Sequence, residues 1–483
     1  MCGIIGLISK QGRQVFPELL DAMQNQKHRG FDSFGVHVKK TIKKKRIKEI
    51  AERHLNGSMG IGQNQLSITG NGMQPFTSKN NELSLVHNGE IYNFLELKKN
   101  LGKEFEKKFE SSTDSEVIEK FFEKELKKNS VEASVKKFFK QSNGMYAVLF
   151  QFKNSLYAFR DPAGIKPLWI GENNSFIGAS SEPKPLRKFN ILFPQPLLPG
   201  HLIEFNEKGF KEKKIFDLTD LKKEIPKKKS FKKLKESFLE SIELRTMHLR
   251  EAAVFFSGGV DSSLIAKAVS EFVPRTTLIT VGLQDSPDMK FCEENASELG
   301  LNVHFRKINE KDVQFNARKA MYHLPYFDSL QLQIGALNFI AAREAKKLNL
   351  KTAFSGQGSD ELFCGYSNYK RVLKLNGFKA VEQEIWNQLQ EIWQRNLMRE
   401  DLMSMANTIE LRVPFLDLNF IKEAMAFPAK DKIKSVNDEL RKHPLRKLAE
   451  SLGVPKKFSE RPKKALQYGS GTGKIVEKMF KDA

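Results

Sequence analysis

The order of apolar and polar segments predicts a chain of two domains, one α+β and one α/β. Up to about residue 205, short apolar runs alternate with Gly, Asn and Ser clusters, and one stretch at 114–128 has helical spacing. Sheets with helices packed against them are expected there. From about residue 231 strand and helix patterns follow one another in turn, the rhythm of a parallel sheet with ligands at the strand C-terminal ends. Between the two, residues 206–230 are rich in Lys and Glu, contain Pro226 and show little periodicity, which reads as a basic linker. The expected domains are therefore 2–205 and 231–483.

In the first domain, 83–87, 147–152 and 155–160 read as strands, and 114–128 (DSEVIEKFFEKELKK) as an amphipathic helix. In the second, a helix at 232–244 leads to a buried strand at 252–256, a Gly-rich turn and a helix at 264–272. Strands at 277–282, near Val303 and at 351–354 follow, the last preceded by a long helix at 334–348. Two glycine-rich stretches, 257–263 and 355–360, fall at strand C-terminal ends.

Composition narrows the function. At 483 residues the chain exceeds what one compact core ordinarily holds. No apolar run approaches the roughly 18 residues of a membrane span. The apolar start meets Lys10 too early for a secretory segment, so the cytoplasm is the expected compartment. Cys2, Cys292 and Cys364 are odd in number and far apart, which excludes a disulfide framework, and the histidines lack paired metal spacing. Any metal should then be a hard cation held by carboxylates and phosphates. The balance of 80 basic against 58 acidic residues raises a nucleic-acid reading. The lysine runs at 39–48, 124–140 and 211–235 lack the aromatic interleaving of a stacking platform, so they read as a solvated surface. Anionic substrates would still gain attraction from it.

The stretch Phe256-Ser257-Gly258-Gly259-Val260-Asp261-Ser262-Ser263 follows a strand and opens a helix. Glycines allow a sharp turn and a close ligand approach, and the exposed N–H groups at a helix start cradle an anion. Asp261 would repel bare phosphate, but it suits a site where Mg²⁺ bridges carboxylate and pyrophosphate. No Lys follows the glycines, so this is no Walker A loop, and the later 469–475 stretch is one residue short of one. The sequence SGGVDSS resembles the loop of the ATP pyrophosphatases. That resemblance implies ATP cleavage between the α and β phosphates and an adenylated intermediate.

Cys2 precedes a Gly, and removal of Met1 would leave a thiol and an α-amine on one residue, a nucleophile beside its own base. His28-Arg29-Gly30-Phe31-Asp32-Ser33, His87-Asn88-Gly89-Glu90-Ile91-Tyr92-Asn93 and Ser112-Thr113-Asp114-Ser115-Glu116-Val117 follow in order, with Arg160-Asp161-Pro162 and Ser181-Glu182 beyond. Together they resemble the class II glutamine amidotransferase domain, an N-terminal nucleophile hydrolase with an αββα sandwich. The resemblance implies that Cys2 attacks the glutamine amide and that Asn88 and Gly89 stabilise the oxyanion. It also implies that Asp114, with Glu90, holds the substrate amino group. Where that family places an arginine for the glutamine carboxylate, this chain has Gln65, which brings no positive charge.

Further motifs run to the end of the chain: Gly282-Leu283 with Ser286-Pro287-Asp288, the stretch from Ser355 to Glu361, Met403-Ser404-Met405, the stretch from Arg412 to Asp417, and Arg461-Pro462-Lys463. With the glutaminase half, they resemble the glutamine-hydrolysing asparagine synthetases. The resemblance implies an adenine-nucleotide α-hydrolase-like second domain. Phe256, Val281, Ser355 and Gly356 would meet adenosine, Asp261 and Asp360 would hold Mg²⁺, and Lys463 would neutralise phosphate charge. It further implies glutamine, aspartate and ATP as substrates, ammonia passed internally, and a homodimer as the assembly to test. An amidotransferase of the same architecture acting on another carboxylic acid, or an ammonia-dependent synthetase with a weak glutaminase, is the rival reading. Gln357 stands where many of these enzymes have Glu, so a hydrogen bond is kept but charge and proton acceptance are lost. The segment 328–333 lacks the Thr-rich pattern expected near the acceptor, and Cys364, where the family prefers Gly, reads as packing.

Overall fold

The computed structural model describes residues 2–283, 286–326, 328–462 and 473–481, and separates into two units, Met1–Asp217 and Leu218–Ala483.

In the first unit, strand Cys2–Ser9 is buried along its whole length, which requires cover on both faces. It sits inside a seven-stranded sheet in the order Gln195–Pro196, Trp169–Glu172, Phe176–Ser180, Cys2–Ser9, Met59–Gln65, Ser33–Val38, Lys40–Lys44. On one face, Ile4, Ile8 and Ile61 pack against Val86, Leu149 and Ala158 of a second sheet. A Cβ on Gly6 would lie 2.8 Å from the Leu149 methyls, so the glycine lets the layers approach. Helix Phe16–Asn25 buries Leu19, Ala22 and Met23 in the same unit and packs on the first sheet. The second sheet runs Gly209–Lys214, His201–Asn206, Ser155–Arg160, Gly144–Phe152, Leu83–Ile91, Phe76–Thr77. Helices Asp114–Glu125 and Val131–Gln141 bring Phe121, Phe122, Phe138 and Phe139 onto Tyr146, Phe150 and Phe159 of this sheet. Truncating one such ring typically costs about 3–5 kcal/mol. The layers are helix, sheet, sheet, helix, the expected sandwich.

The stretch expected to be a linker is partly ordered structure. Gly209–Lys214 pairs antiparallel with His201–Asn206 as an edge strand, and Leu218–Glu224 forms a short 3-10 helix. The strand hid in the sequence because an edge needs no apolar alternation, and its lysines discourage pairing with other chains.

In the second unit five parallel strands take the order Asn302–Ile308, Arg275–Leu283, Glu251–Phe255, Thr352–Phe354, Glu410–Arg412. Helix Ser329–Lys347 presents Ala341, Ala342 and Ala345 to Ala253 and Ala353, small residues that let helix and sheet approach. The chain builds outward from Glu251–Phe255 in one direction, then returns to its other side at Thr352–Phe354. That reversal opens a crevice at the strand C-terminal ends. Both glycine-rich stretches lie there.

The Arg412–Asp417 motif is largely architectural. Arg412 is buried and donates to Glu410 at 2.6 Å and to the Arg245 carbonyl. Arg245 pairs with Asp417 at 2.9 Å, and Ser241 donates to the Pro414 carbonyl at 2.7 Å, fastening helix Phe231–Thr246.

Candidate functional site

Strand Cys2–Ser9 delivers Cys2 at its first residue, opposite Gln65. The neighbouring sheet supplies Asn88 and Gly89 from strand Leu83–Ile91. Cys2 N donates to Asn88 Oδ1 at 3.0 Å, which fixes the amide plane. Asn88 Nδ2 is buried without a hydrogen-bond partner among the described residues. An unpartnered buried donor costs free energy, and a ligand acceptor would satisfy it. Gly89 has φ 145, and a Cβ there would lie 1.9 Å from the Met145 carbonyl oxygen, so only glycine fits.

Helix Asp114–Glu125 begins at Asp114, capped by the Thr113 hydroxyl on Glu116 N. Asp114 Oδ2 accepts from Ile91 N at 2.8 Å, which ties the helix start to the strand carrying Asn88, Gly89 and the buried Glu90. Burial pushes the Cys2 thiol above its ordinary value, and Asp114 adds to the rise. The Leu66 backbone and the Gln63 side chain act against it. A local base is therefore required to generate thiolate.

The sequence reading gave Arg29 and Glu182 no role. Arg29 is fully buried, its Nε donating to the Cys2 carbonyl at 3.2 Å and its Nη1 pairing with Glu182 at 3.1 Å. His28 and Lys184 also meet Glu182, at 2.8 and 3.2 Å. Burial alone would raise this carboxyl, but His28, Lys184 and Arg29 outweigh it and hold Glu182 well below the usual carboxylate range. The cluster locks the backbone at Cys2. Gln65 is committed too: Ser33 Oγ donates to its Oε1 at 2.8 Å and its Nε2 donates to the Gly72 carbonyl at 2.8 Å.

In the second unit, Gly259 caps helix Val260–Phe272, which starts four residues earlier than the apolar pattern suggested because the glycine turn itself begins the helix. Gly258 takes φ 68. The Ser262 and Ser263 hydroxyls donate to the Gly259 carbonyl at 3.1 and 2.9 Å, and Asn295 Nδ2 donates to the Gly258 carbonyl at 3.1 Å. These bonds hold the loop in shape. A Cβ on Gly356 would lie 2.9 Å from Asp261 Cβ, so the two loops meet through that glycine. A cavity at the crevice is lined by Phe256, Ser257, Asp261, Ser262, Val281, Ser355, Gly356, Gln357 and Asp360. Gly258, Gly259 and Ser263 belong to the same loop but do not line this cavity.

Lys463 lies outside the described residues. Among those described, Lys442 is the cation that bridges the aspartates of the two loops. It is 1% exposed, and its Nζ lies 2.7 and 2.8 Å from the two Asp261 oxygens and 2.7 Å from Asp360 Oδ1. A Cβ on Gly365 would lie 1.9 Å from Asp360 Oδ1 and 2.2 Å from Lys442 Cε, so glycine is needed beside this bridge. Cys364 just before it is buried at φ 60, a backbone that suits the glycine expected there, and burial pushes its thiol up to about 12. Glu400, also unread in the sequence, lines the same cavity. No motif in the sequence contains Lys442 or Glu400, because tertiary folding alone brings them to the loops.

A glutamine amidotransferase domain model matches residues 1–205, and an asparagine synthase model matches residues 233–381 and 374–483. The chain is 29% identical to the putative asparagine synthetase [glutamine-hydrolyzing] 1 of Methanocaldococcus jannaschii, covering 100% of this chain and 96% of that protein. It is 28% identical to asparagine synthetase [glutamine-hydrolyzing] 2 of Lotus japonicus, over 98% of this chain and 79% of that protein. The synthase match takes in the parallel sheet, both glycine-rich loops and Lys442, and on that extent the chain belongs to the asparagine synthase family.

Proposed function

We propose that the chain is a glutamine-hydrolysing asparagine synthetase, an ATP-dependent carbon–nitrogen ligase. It converts aspartate, glutamine and ATP to asparagine, glutamate, AMP and pyrophosphate. The observation that carries this reading is the pairing of two chemistries in one chain: a buried thiol beside the unpartnered Asn88 Nδ2, and a glycine-loop cavity with Lys442 between two aspartates.

In the first unit Cys2 Sγ attacks the glutamine side-chain amide. Asn88 Nδ2 and the Gly89 N–H receive the oxyanion, Asp114 and Glu90 hold the amino group, and Gln65 offers the carboxylate a neutral amide. With Met1 removed, the Cys2 amine takes the thiol proton. Ammonia leaves and the thioester is hydrolysed.

In the second unit, adenosine rests against Phe256, Val281, Ser355 and Gly356, with the phosphates on the loop from Ser257 to Ser263. Asp261 and Asp360 offer the hard oxygen donors that suit Mg²⁺, whose charge would offset that of pyrophosphate. Lys442 balances these carboxylates and stands within reach of the same charge. The aspartate β-carboxylate attacks the α-phosphorus, pyrophosphate leaves, and ammonia then displaces AMP from the acyl carbon. Mg²⁺ dependence, a homodimeric assembly, a cytoplasmic location and a basic surface that takes no nucleic acid belong to the same proposal. No helix among the described residues is long and apolar enough to cross a membrane.

The test is product identity. Aspartate, glutamine and ATP supplied together should yield asparagine, AMP and pyrophosphate in equal amounts. Pyrophosphate release that responds to another carboxylic acid and ignores aspartate would favour the rival acceptor.

A further inference from the structure

A second cavity of about 760 Å³ adjoins the nucleotide cavity, large enough for an amino-acid acceptor. Gln357, Asp360 and Glu400 line both cavities, so they stand where an acyl carbon held in one would meet the α-phosphate held in the other. The three differ in what they can do there. Asp360 is paired with Lys442 at 2.7 Å. Gln357 is an amide and accepts no proton. Glu400 is a buried carboxylate on helix Met398–Met405. Its Oε1 accepts a hydrogen bond from Gln357 Nε2, and its Oε2 accepts one from Ser355 Oγ at 3.1 Å.

Both donors belong to the glycine-rich loop, so that loop holds a carboxylate brought from another helix. Arg399, the neighbouring cation, directs its guanidinium elsewhere: Nη1 donates to Gln331 Oε1 and the Arg395 carbonyl, both at 2.8 Å, and Nη2 to Asn396 Oδ1 at 3.1 Å. Burial raises the Glu400 carboxyl, with Arg399 and the hydrogen bonds from Gln357, Ser355 and Asn338 opposing it. Glu361 is also buried, but it lines the second cavity and is bonded to Tyr366 and Asn396.

We propose that Glu400, aimed by Gln357 and Ser355, is the proton acceptor of the amide-forming step. The assignment rests on reading the second unit as an acyl-adenylating synthetase. The ammonia lone pair forms the new C–N bond, and the electron pair of the acyl C–O bond leaves on the AMP phosphate oxygen. One proton passes from nitrogen to the Glu400 carboxylate, which later releases it to water. Without an acceptor the adduct nitrogen stays cationic, and ammonia rather than AMP is the better leaving group. Adenylation precedes this transfer and needs no proton acceptor, because the attacking aspartate is already a carboxylate.

The experiment separates the two steps in the full chain, with ammonium chloride as nitrogen source so that the glutaminase is bypassed. Aspartate-dependent exchange of labelled pyrophosphate into ATP reports adenylation, and asparagine formation reports the whole reaction. Glu400→Gln should lower asparagine formation by about 10²- to 10⁴-fold, the usual worth of a general base, while exchange persists. The double variant Gln357→Glu/Glu400→Gln returns a carboxylate to the same hydrogen-bonded pair and should recover part of the lost rate. Asparagine formation unchanged in Glu400→Gln would overturn the proposal. So would equal loss of exchange and amide formation with no recovery in the double variant, since that pattern belongs to a structural role. Absence of exchange in the wild-type chain would instead overturn the adenylation reading beneath it.

Discussion

Cys2→Ala is expected to abolish asparagine formation from glutamine while formation from ammonium salts survives. In the proposed mechanism the thiol breaks the glutamine C–N bond and takes no part in activating aspartate. Loss of a covalent nucleophile removes a factor on the order of 10⁴–10⁶ from such a reaction. The fold should tolerate the change, because Cys2 begins a strand whose packing into the sheet is carried by Ile4, Ile5, Leu7 and Ile8. A chain that keeps Met1 should behave in the same way. Its α-amine would be an amide, and a thiol raised by burial would lack its base. The measurement is asparagine yield from each nitrogen source for the same preparation. Equal loss from both would contradict separate sites.

Asp261→Asn should depress asparagine formation from either source by about 10²- to 10³-fold, the cost of removing one preorganised electrostatic contact to a developing charge. Glutamine hydrolysis should continue. Both Asp261 oxygens accept from Lys442 Nζ, so the amide leaves that lysine one carboxylate fewer and turns an NH₂ group or a single oxygen toward it. It also removes one of two donors proposed for the metal. Pyrophosphate release, followed directly, separates this outcome from a fault in ammonia supply. Normal release in the variant would show that the loop does something other than hold the phosphates.

Three strands of the six-stranded sheet, four of the five parallel strands and the two glycine-rich loops were legible because local signals and tertiary outcome agree, whereas no strand of the seven-stranded sheet was. Helix Asp114–Glu125 has its Thr113 cap and Val117, Ile118, Phe121 and Phe122 at helical spacing, and Val260–Phe272 follows a glycine pair at a strand end. Other parts were silent for definite reasons. Helix Asn368–Ile392 is interrupted by Gly377 at φ 74, and its buried residues, Tyr369 and then Val381 to Ile392, lie mainly beyond that break. The linker strand is charged because it lies on an edge. Site chemistry divides in the same way. Asn88, Gly89 and Asp261 sit in contiguous motifs, whereas Lys442 reaches Asp261 across 181 residues of sequence and Glu400 reaches Gln357 across 43. Gln65 stands where the resemblance expects an arginine for the glutamine carboxylate. Its contacts with Ser33 and Gly72 show that one amide hydrogen is already spent, and an arginine at 65 would have to displace both partners.

Everything assigned to the second unit depends on how ATP is broken. Aspartate carrying heavy oxygen in its β-carboxylate should be incubated with the wild-type enzyme, ATP and ammonium, and the nucleotide product weighed. Attack by that carboxylate on the α-phosphorus puts one labelled oxygen into AMP, with unlabelled pyrophosphate beside it. Labelled AMP is the predicted result. Label in inorganic phosphate, with ADP as the nucleotide, would mean activation at the γ-phosphate and contradict the roles given to the glycine loops, Asp261, Asp360 and Lys442.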